Sequence, residues 1–526
     1  MLLRNSVWNF AGLALPALVA LGTVPWLIHG LGLEGFGIVT LITSIVGYFG
    51  ILDINLSAGA IKYLAEHQAT GDQRRFAQTF WFGLLFHAAL GLIGGLLLAG
   101  FAGTLLDRFF TVSPALRADA QAALQLAAIG FALSQLLGYL LAVPQALQRY
   151  DVSARGEAAF GILVNVISAI VACSGGGITG VVLARVAVSA ANVLWLGWQL
   201  SRLQAQLQVP LSPTLPTREV CVALMRFSGY SYLSRLAAML HQHADKLIIG
   251  ALAGPVALAF YTVPVQLAGR ILGLTYRLAS VIYPRVSELA ATGRQAQLQD
   301  LYLDATRLLT YLNFSVLALI ALAGAAFLAH WVGAEFVAAG YPVLLLVTLA
   351  LLADSLTTLP SLVNDGLGHP QVSGRFALAR GLAGVPLVCA GTLAAGIEGA
   401  AFAHLLASLL MSALFIGWVH GRTVPVTLAR VWSQCWRSGL LAGMGTAIAM
   451  LPLKWLIDQH IAGLPALLLL LAASGLSLLL AGLGFVLNAD ERAMLRQRLS
   501  PRLGIVLAAM WSPMKALWLR HAARLR

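Results

Sequence analysis

The polar breaks in this chain are short, and between them apolar residues run in blocks of about 20 to 28, each enough for one helical crossing of a bilayer. About fourteen crossings are expected, at 8–29, 37–60, 80–106, 119–143, 157–174, 178–200, 227–251, 256–284, 305–330, 341–363, 373–394, 397–419, 437–457 and 462–487. Only 10% of the 526 residues are charged, against about 25% in ordinary soluble chains. The longest interhelical breaks, near 201–226 and 285–304, are too short for a folded soluble domain. The expected fold is therefore an all-α integral membrane protein. The first block outruns the apolar core of a signal peptide and has a counterpart later in the chain, so it is read as a helix.

A formal net charge of +13 would, in a soluble chain, point to nucleic acid. Its distribution points to topology instead, and no nucleic-acid partner is expected. With the N-terminus in the cytoplasm, every inner break carries basic residues, among them Lys62, Arg74, Arg75, Arg149, Arg155, Arg218, Arg294, Arg375, Arg380 and Arg430, whereas the outer breaks hold only Arg108 and Arg117. This asymmetry predicts an even number of helices and cytoplasmic termini. The basic tail 489–526, with Trp511 and Trp518 among its arginines, reads as a contact with anionic membrane lipids.

The chain matches itself at an offset of 219 to 222 residues. "LGLEGFGIVTL" from Leu31 meets "AGPVALAFYTV" from Ala253, "IKYLAE" ending at Glu66 meets "YPRVSE" ending at Glu288, and "GITGVVLAR" from Gly177 meets "GIEGAAFAH" from Gly396. Two lobes of six helices follow, 1–200 and 227–420, joined by a cytoplasmic linker at 201–226 and followed by two extra helices in 421–488. An even number of helices per lobe gives both copies the same orientation. That is the parallel-repeat arrangement of alternating-access transporters.

No phosphate loop, HExxH motif or nucleophile elbow occurs, so no ATP motor, catalytic residue or metal site is expected. Gly175, Gly176 and Gly177 read as a flexible outer turn, and His241 and His243 as packing or pore-lining residues. The four cysteines, isolated in sequence, read as packing residues. What remains is charge inside the helices: Asp53, Arg185, Arg235, Asp245, Lys246, Arg270, Arg277, Asp354 and Lys454. Asp245 and Lys246 read as a structural pair, and Lys454 as a side chain snorkelling to the interface. Asp53, Arg235, Arg270 and Arg277 fall at depths that let them share one pocket, or else form interhelical salt bridges such as Asp53 with Arg277. Cations outnumber carboxylates, and an unpaired arginine at membrane depth needs water or an anion. The surplus favours an anionic substrate.

The stretch "GLGLEGFGIVTLITSIVGYFGILDINLSAGAIKYLAEH" resembles the first signature of bacterial polysaccharide flippases (Wzx type) of the multidrug/oligosaccharidyl-lipid/polysaccharide (MOP) exporter superfamily. That signature is a G-x-x-x-[FY]-G turn, here Gly32 to Gly37, then an Asp-x-Gly-Leu element, with Asn55 in place of the glycine. The stretch "ADKLIIGALAGPVALAFYTVPVQL", with "VIYPRVSEL" after it, resembles the second-lobe signature. The resemblance implies a cavity between the lobes lined by helices 1, 2, 7 and 8. It also implies an undecaprenyl-diphosphate-linked oligosaccharide substrate moved from the inner to the outer leaflet of the cytoplasmic membrane. Arg235, Arg270 and Arg277 are then the substrate-binding cations, Asp53 and Asp354 the coupling or gating residues, and H+ or Na+ the coupling ion. Polysaccharide polymerase and chain-length machinery are the implied protein partners.

Three other readings compete. A cation-coupled multidrug exporter of the same superfamily would want unpaired carboxylates, and a lipid II flippase would share the cationic cavity. A glycosyltransferase or ligase would need a large extramembrane loop, which this chain lacks.

Overall fold

The computed structural model describes residues 2–54, 56–207, 212–280, 282–461, 463–488 and 491–493. The tail from 494 onward, Asn55, and the side chains of Arg235 and Arg277 lie outside the described residues. Among the described residues all regular structure is helical. The helices are α1 (Leu2–Phe49), α2 (Leu56–Thr70), α3 (Gln73–Phe109), α4 (Pro114–Ala146), α5 (Tyr150–Cys173), α6 (Gly177–Leu207), α7 (Arg218–Leu252) and α8 (Gly254–Ser280). They continue as α9 (Tyr283–Ala291), α10 (Gln295–Trp331), α11 (Glu335–Ser355), α12 (Thr358–Gly366), α13 (Pro370–Arg422), α14 (Leu428–Val431), α15 (Arg437–His460) and α16 (Leu464–Ala481).

Several helices outrun the apolar block that predicted them. α10 starts at Gln295 rather than 305, and α6 and α7 extend to Leu207 and from Arg218 into the expected linker. The added residues, such as "QAQLQDLYLD", are good helix formers that need no lipid. An apolar block measures the hydrocarbon layer; the helix runs on into water.

Eleven segments of the described residues are long and apolar enough to cross a membrane, fewer than the fourteen blocks. Two of them contain residues with non-helical backbone angles inside one helix. α1 is interrupted at Gly32 (φ 70°, ψ 171°) and α13 at Ala395 and Gly396. A straight helix of 53 residues would span about 80 Å, well over twice the ~30 Å hydrocarbon core. The two limbs of α13 instead fold back on each other: a Cβ at Gly391 would lie 2.3 Å from the carbonyl oxygen of Gly399. α7 is not among the eleven, and many side chains through its middle lie outside the described residues.

Backbone geometry repeats at the sequence offset. α2 and α9 both end in a left-handed glycine, Gly71 (φ 71°) and Gly293 (φ 67°). In each, the next amide closes the turn onto a carbonyl five residues back, Asp72 to His67 and Arg294 to Leu289, both at 3.0 Å. This is a Schellman closure of the helix end. α4 and α12 end in the same way at Gln148 (φ 56°) and Gly368 (φ 92°), with Arg149 bonded to Pro144 and His369 to Asn364. The flexible turn expected at Gly175–Gly177 is likewise a defined one, with positive φ at Gly175 and Gly177. The Asp119 carboxylate accepts the amides of Ile178 (2.9 Å) and Thr179 (3.1 Å) at the start of α6.

By contacts the chain divides into two compact units, Met1–Gln266 with Gly374–Ala407, and Leu267–Ser373 with Ser408–Arg526. The divisions fall inside α8 and α13, not at the linker. In the first unit, α7 and the start of α8 pack on α1 because glycines there bring the backbones close: a Cβ at Gly37 would meet the Pro255 carbonyl, and one at Gly47 the His243 ring. A core of Leu64, Phe76, Phe80, Tyr139, Val143, Leu196 and Leu200 joins α2 to α6. In the second unit, α15 meets α10 through Gly439 and Gly443, whose absent Cβ atoms would strike the backbone of Tyr311 (2.9 Å) and Phe314 (2.8 Å). Between lipid-facing helices, where burial adds little, such small-residue contacts supply the packing.

Gly443→Leu is therefore expected to lower the melting temperature and membrane abundance markedly, by opening the α10–α15 contact. Gly445→Leu, two residues on and facing open space, is expected to leave both near wild type. Thermal unfolding of the two purified variants checks this, and equal damage from both would contradict the contact.

Candidate functional site

A helical path stops at Asp53. The short 3-10 turn Gly50–Leu52 ends there, Asp53 takes an extended conformation (φ −82°, ψ 110°), and its amide bonds back to Gly50. The helix is broken here although the sequence has Asn55 where the signature has glycine: α2 begins at Leu56. The Asp53 side chain is turned into the first unit and is 4% exposed.

The side chain of Arg277, the ion-pair partner offered by the sequence, lies outside the described residues. His87 lies beside Asp53, with Nε2 3.8 Å from the carboxylate. Gly83 makes this arrangement: a Cβ there would overlap the Tyr139 ring at 2.2 Å, so the ring occupies that space. The Tyr139 hydroxyl donates to the carbonyls of Phe80 (2.8 Å) and Thr79 (3.2 Å), and its ring stacks on His87 at 4.9 Å. His87 Nδ1 is 2.7 Å from the Gly83 carbonyl oxygen and must carry a hydrogen there. Nε2 then has two states. Neutral, it accepts from the Ser57 hydroxyl 3.4 Å away; protonated, it faces Asp53 as a cation.

A second polar cluster in this unit joins α7, α8 and α13. Asp245, buried, accepts from the Tyr261 hydroxyl (3.0 Å) and lies 3.6 Å from Lys246 Nζ. Arg380, expected in an inner loop, sits about three turns inside α13. Its guanidinium is 3.5 Å from His404 Nε2. Asp245, Arg380 and His404 share a cavity of about 30 Å³, room for a water molecule. Sequence spacing hid both clusters, because Asp53 and His87, like Asp245 and His404, belong to different helices.

Arg185 is a cation of another kind. Its guanidinium donates to the hydroxyls of Thr43 (3.0 Å) and Ser168 (3.4 Å), and no carboxylate pairs with it among the described residues. In the second unit, Arg270 is exposed on α8 without an ion-pair partner among the described residues, and Asp354 accepts from Ser408 at 3.4 Å. Lys454, expected to snorkel, pairs with Asp458 at 2.7 Å one turn on. The four free cysteines make no disulfide, and Glu34 accepts the amide of Ser113 at 2.8 Å.

Residues 31–339, more than half of the chain, match the family model for polysaccharide biosynthesis proteins. The chain belongs to that family. A Shigella flexneri protein named as a putative O-antigen transporter is 23% identical over 435 residues, covering 81% of this chain and 99% of its own. The Bacillus subtilis membrane protein EpsK is 24% identical over 343 residues, 62% of this chain and 65% of its own. Among solved structures, the lipid II flippase MurJ in an inward closed conformation aligns with a TM-score of 0.66 at 13% identity, over 91% of this chain and 98% of MurJ. An inward-facing multidrug MATE transporter of the MOP superfamily aligns with a TM-score of 0.64 at 17% identity, over 79% of this chain and 98% of its own. This polysaccharide biosynthesis protein therefore shares the fold of the MOP exporters.

Asp53→Asn and His87→Phe are expected to be energetically coupled, with the double variant losing less stability than the sum of the single losses, by about 0.5 to 3 kcal/mol. Unfolding of the four proteins in denaturing detergent measures it, and strict additivity would show that the two side chains do not interact.

Proposed function

We propose that this protein is a flippase that moves a lipid-linked oligosaccharide, the repeat unit of an exopolysaccharide, capsule or O-antigen on an undecaprenyl diphosphate carrier, from the inner to the outer leaflet of the cytoplasmic membrane. The observation that carries this reading is the match of residues 31–339 to the polysaccharide biosynthesis family. Arg185 and Arg270, cations without carboxylate partners among the described residues, fit an anionic cargo. A guanidinium at membrane depth is costly unless water or an anion meets it, and its planar fork suits phosphate and carboxylate oxygens. A drug exporter would call for free carboxylates. Asp245 already has Tyr261 and Lys246, and Asp53 has His87.

In this reading Arg235, Arg270 and Arg277 bind the substrate's negative charge, and two repeated lobes rock about the site through fourteen crossings. The protein is a transporter and not an enzyme. H+ is the coupling ion this reading favours over Na+, with Asp53 and His87 as its carrier and Asp354 as a second gating carboxylate. Both termini are cytoplasmic, and a polymerase with its chain-length partner consumes the flipped product.

Topology is checked by single-cysteine labelling from outside intact cells. Positions near Glu335 and Arg117 are expected to react, and those near Arg74 and Arg294 to stay protected; the opposite pattern would invert the orientation.

For Arg270 and Arg277, Lys variants are expected to keep part of the export and Ala variants to abolish it at unchanged membrane abundance, because charge survives in the first and not in the second. Polymer export and abundance are measured together. Full export by the double Ala variant would remove both arginines from the substrate site, and loss of abundance first would make them structural.

A further inference from the structure

The second unit carries a lipid-facing groove that the flippase reading does not use. It runs between α15 and α16, has a volume of about 690 Å³, and is floored by small or apolar residues, Ala442, Gly445, Ala449 and Ala481 among them. From Arg437 at one end to Met450 at the other it follows the α15 axis for about 20 Å, close to one leaflet of ~15 Å hydrocarbon plus its headgroup zone. Both helices depart from α geometry at the Arg437 end. The turns Trp432–Trp436 and Gly482–Val486 are π-helical, with the Arg437 amide bonded to Trp432 and the Leu487 amide to Gly482, five residues back in each. A π turn inserts one residue into a helix, and such insertions concentrate at functional sites.

Charge is arranged at the same end. Arg437 is exposed at the groove mouth, and its guanidinium has no hydrogen-bond or ion-pair partner among the described residues. Through Ser438 and Phe485 the groove joins a polar cavity of about 720 Å³ that holds Arg307, Arg430 and Arg492 with Asp300 and Asp304. Arg307 takes up Asp304 (3.1 Å) and Glu491 (2.9 Å), whereas Arg430 makes only 3.4 Å contacts to Gln299 and Gln434. Cation capacity is left over where a headgroup would lie.

We propose that this groove is a site for one anionic glycerophospholipid, its phosphate at Arg437 and one acyl chain laid along α15 and α16. Groove length selects the occupant: one leaflet's depth suits an acyl chain, while a polyprenyl carrier of many isoprene units would overrun it. Charge excludes the chain's own tail, because residues 494–526 are basic and would meet Arg437 with like charge.

The test counts phospholipids that stay on the full-length protein, purified in mild detergent, by native mass spectrometry. Wild type is expected to retain phosphatidylglycerol or cardiolipin in preference to phosphatidylethanolamine. Arg437→Ala removes the headgroup contact and Gly445→Leu fills the groove; each is expected to cut that retention about fivefold, while Leu468→Ala, exposed elsewhere on α16, leaves it intact. Unchanged retention in both groove variants, or equal retention of phosphatidylethanolamine, overturns the proposal. A photo-crosslinker at Ala449 that captures a polyprenyl phosphate or residues of the tail, and no phospholipid, also overturns it. None of these readouts depends on transport, so failure here leaves the flippase reading untouched.

Discussion

Hydrocarbon offers a backbone amide no water, so a break inside a crossing has to be closed from within the protein. At the helix ends beyond the hydrocarbon, the paired Schellman turns at Gly71 and Gly293, and at Gln148 and Gly368, satisfy the last carbonyls with the same backbone geometry in each copy of the repeat. The same constraint explains Asp119, which spends its carboxylate on the first amides of α6 rather than on a cation. Where hydrophobic burial cannot pull helices together, the bundle relies on backbone approach at Gly439 and Gly443 and between Gly391 and Gly399.

Side-chain charge obeys the same rule with one instructive imbalance. The carboxylates at depth are engaged: Asp53 beside His87, Asp245 beneath Tyr261 and Lys246, Asp354 with Ser408. Among the described residues, Arg185 is held by hydroxyls and not by a carboxylate. A bundle selected for stability alone would pair its cations as well as its anions.

The two π-helical turns belong to the same economy of satisfied groups. Each keeps its backbone amides bonded while changing the spacing of side chains by one residue, at the end of the groove where Arg437 sits.

Sequence alone determined the class of fold, the approximate helix positions, the repeat and the family. Each of these rests on local hydrophobicity or on residues close together in the chain, and lipid makes both decisive. It also marked the charged residues inside the helices, because any charge there stands out against an apolar background. Tertiary structure decided which of them meet. His87 reaches Asp53 only because Gly83 admits the Tyr139 ring that orients it, and Arg380 reaches His404 only because α13 folds back at Gly396; neither contact has a sequence spacing of its own. Helix ends beyond the hydrocarbon, the π-helical turns and the groove at Arg437 were equally out of reach, since they depend on packing between helices and not on the polarity of any one segment.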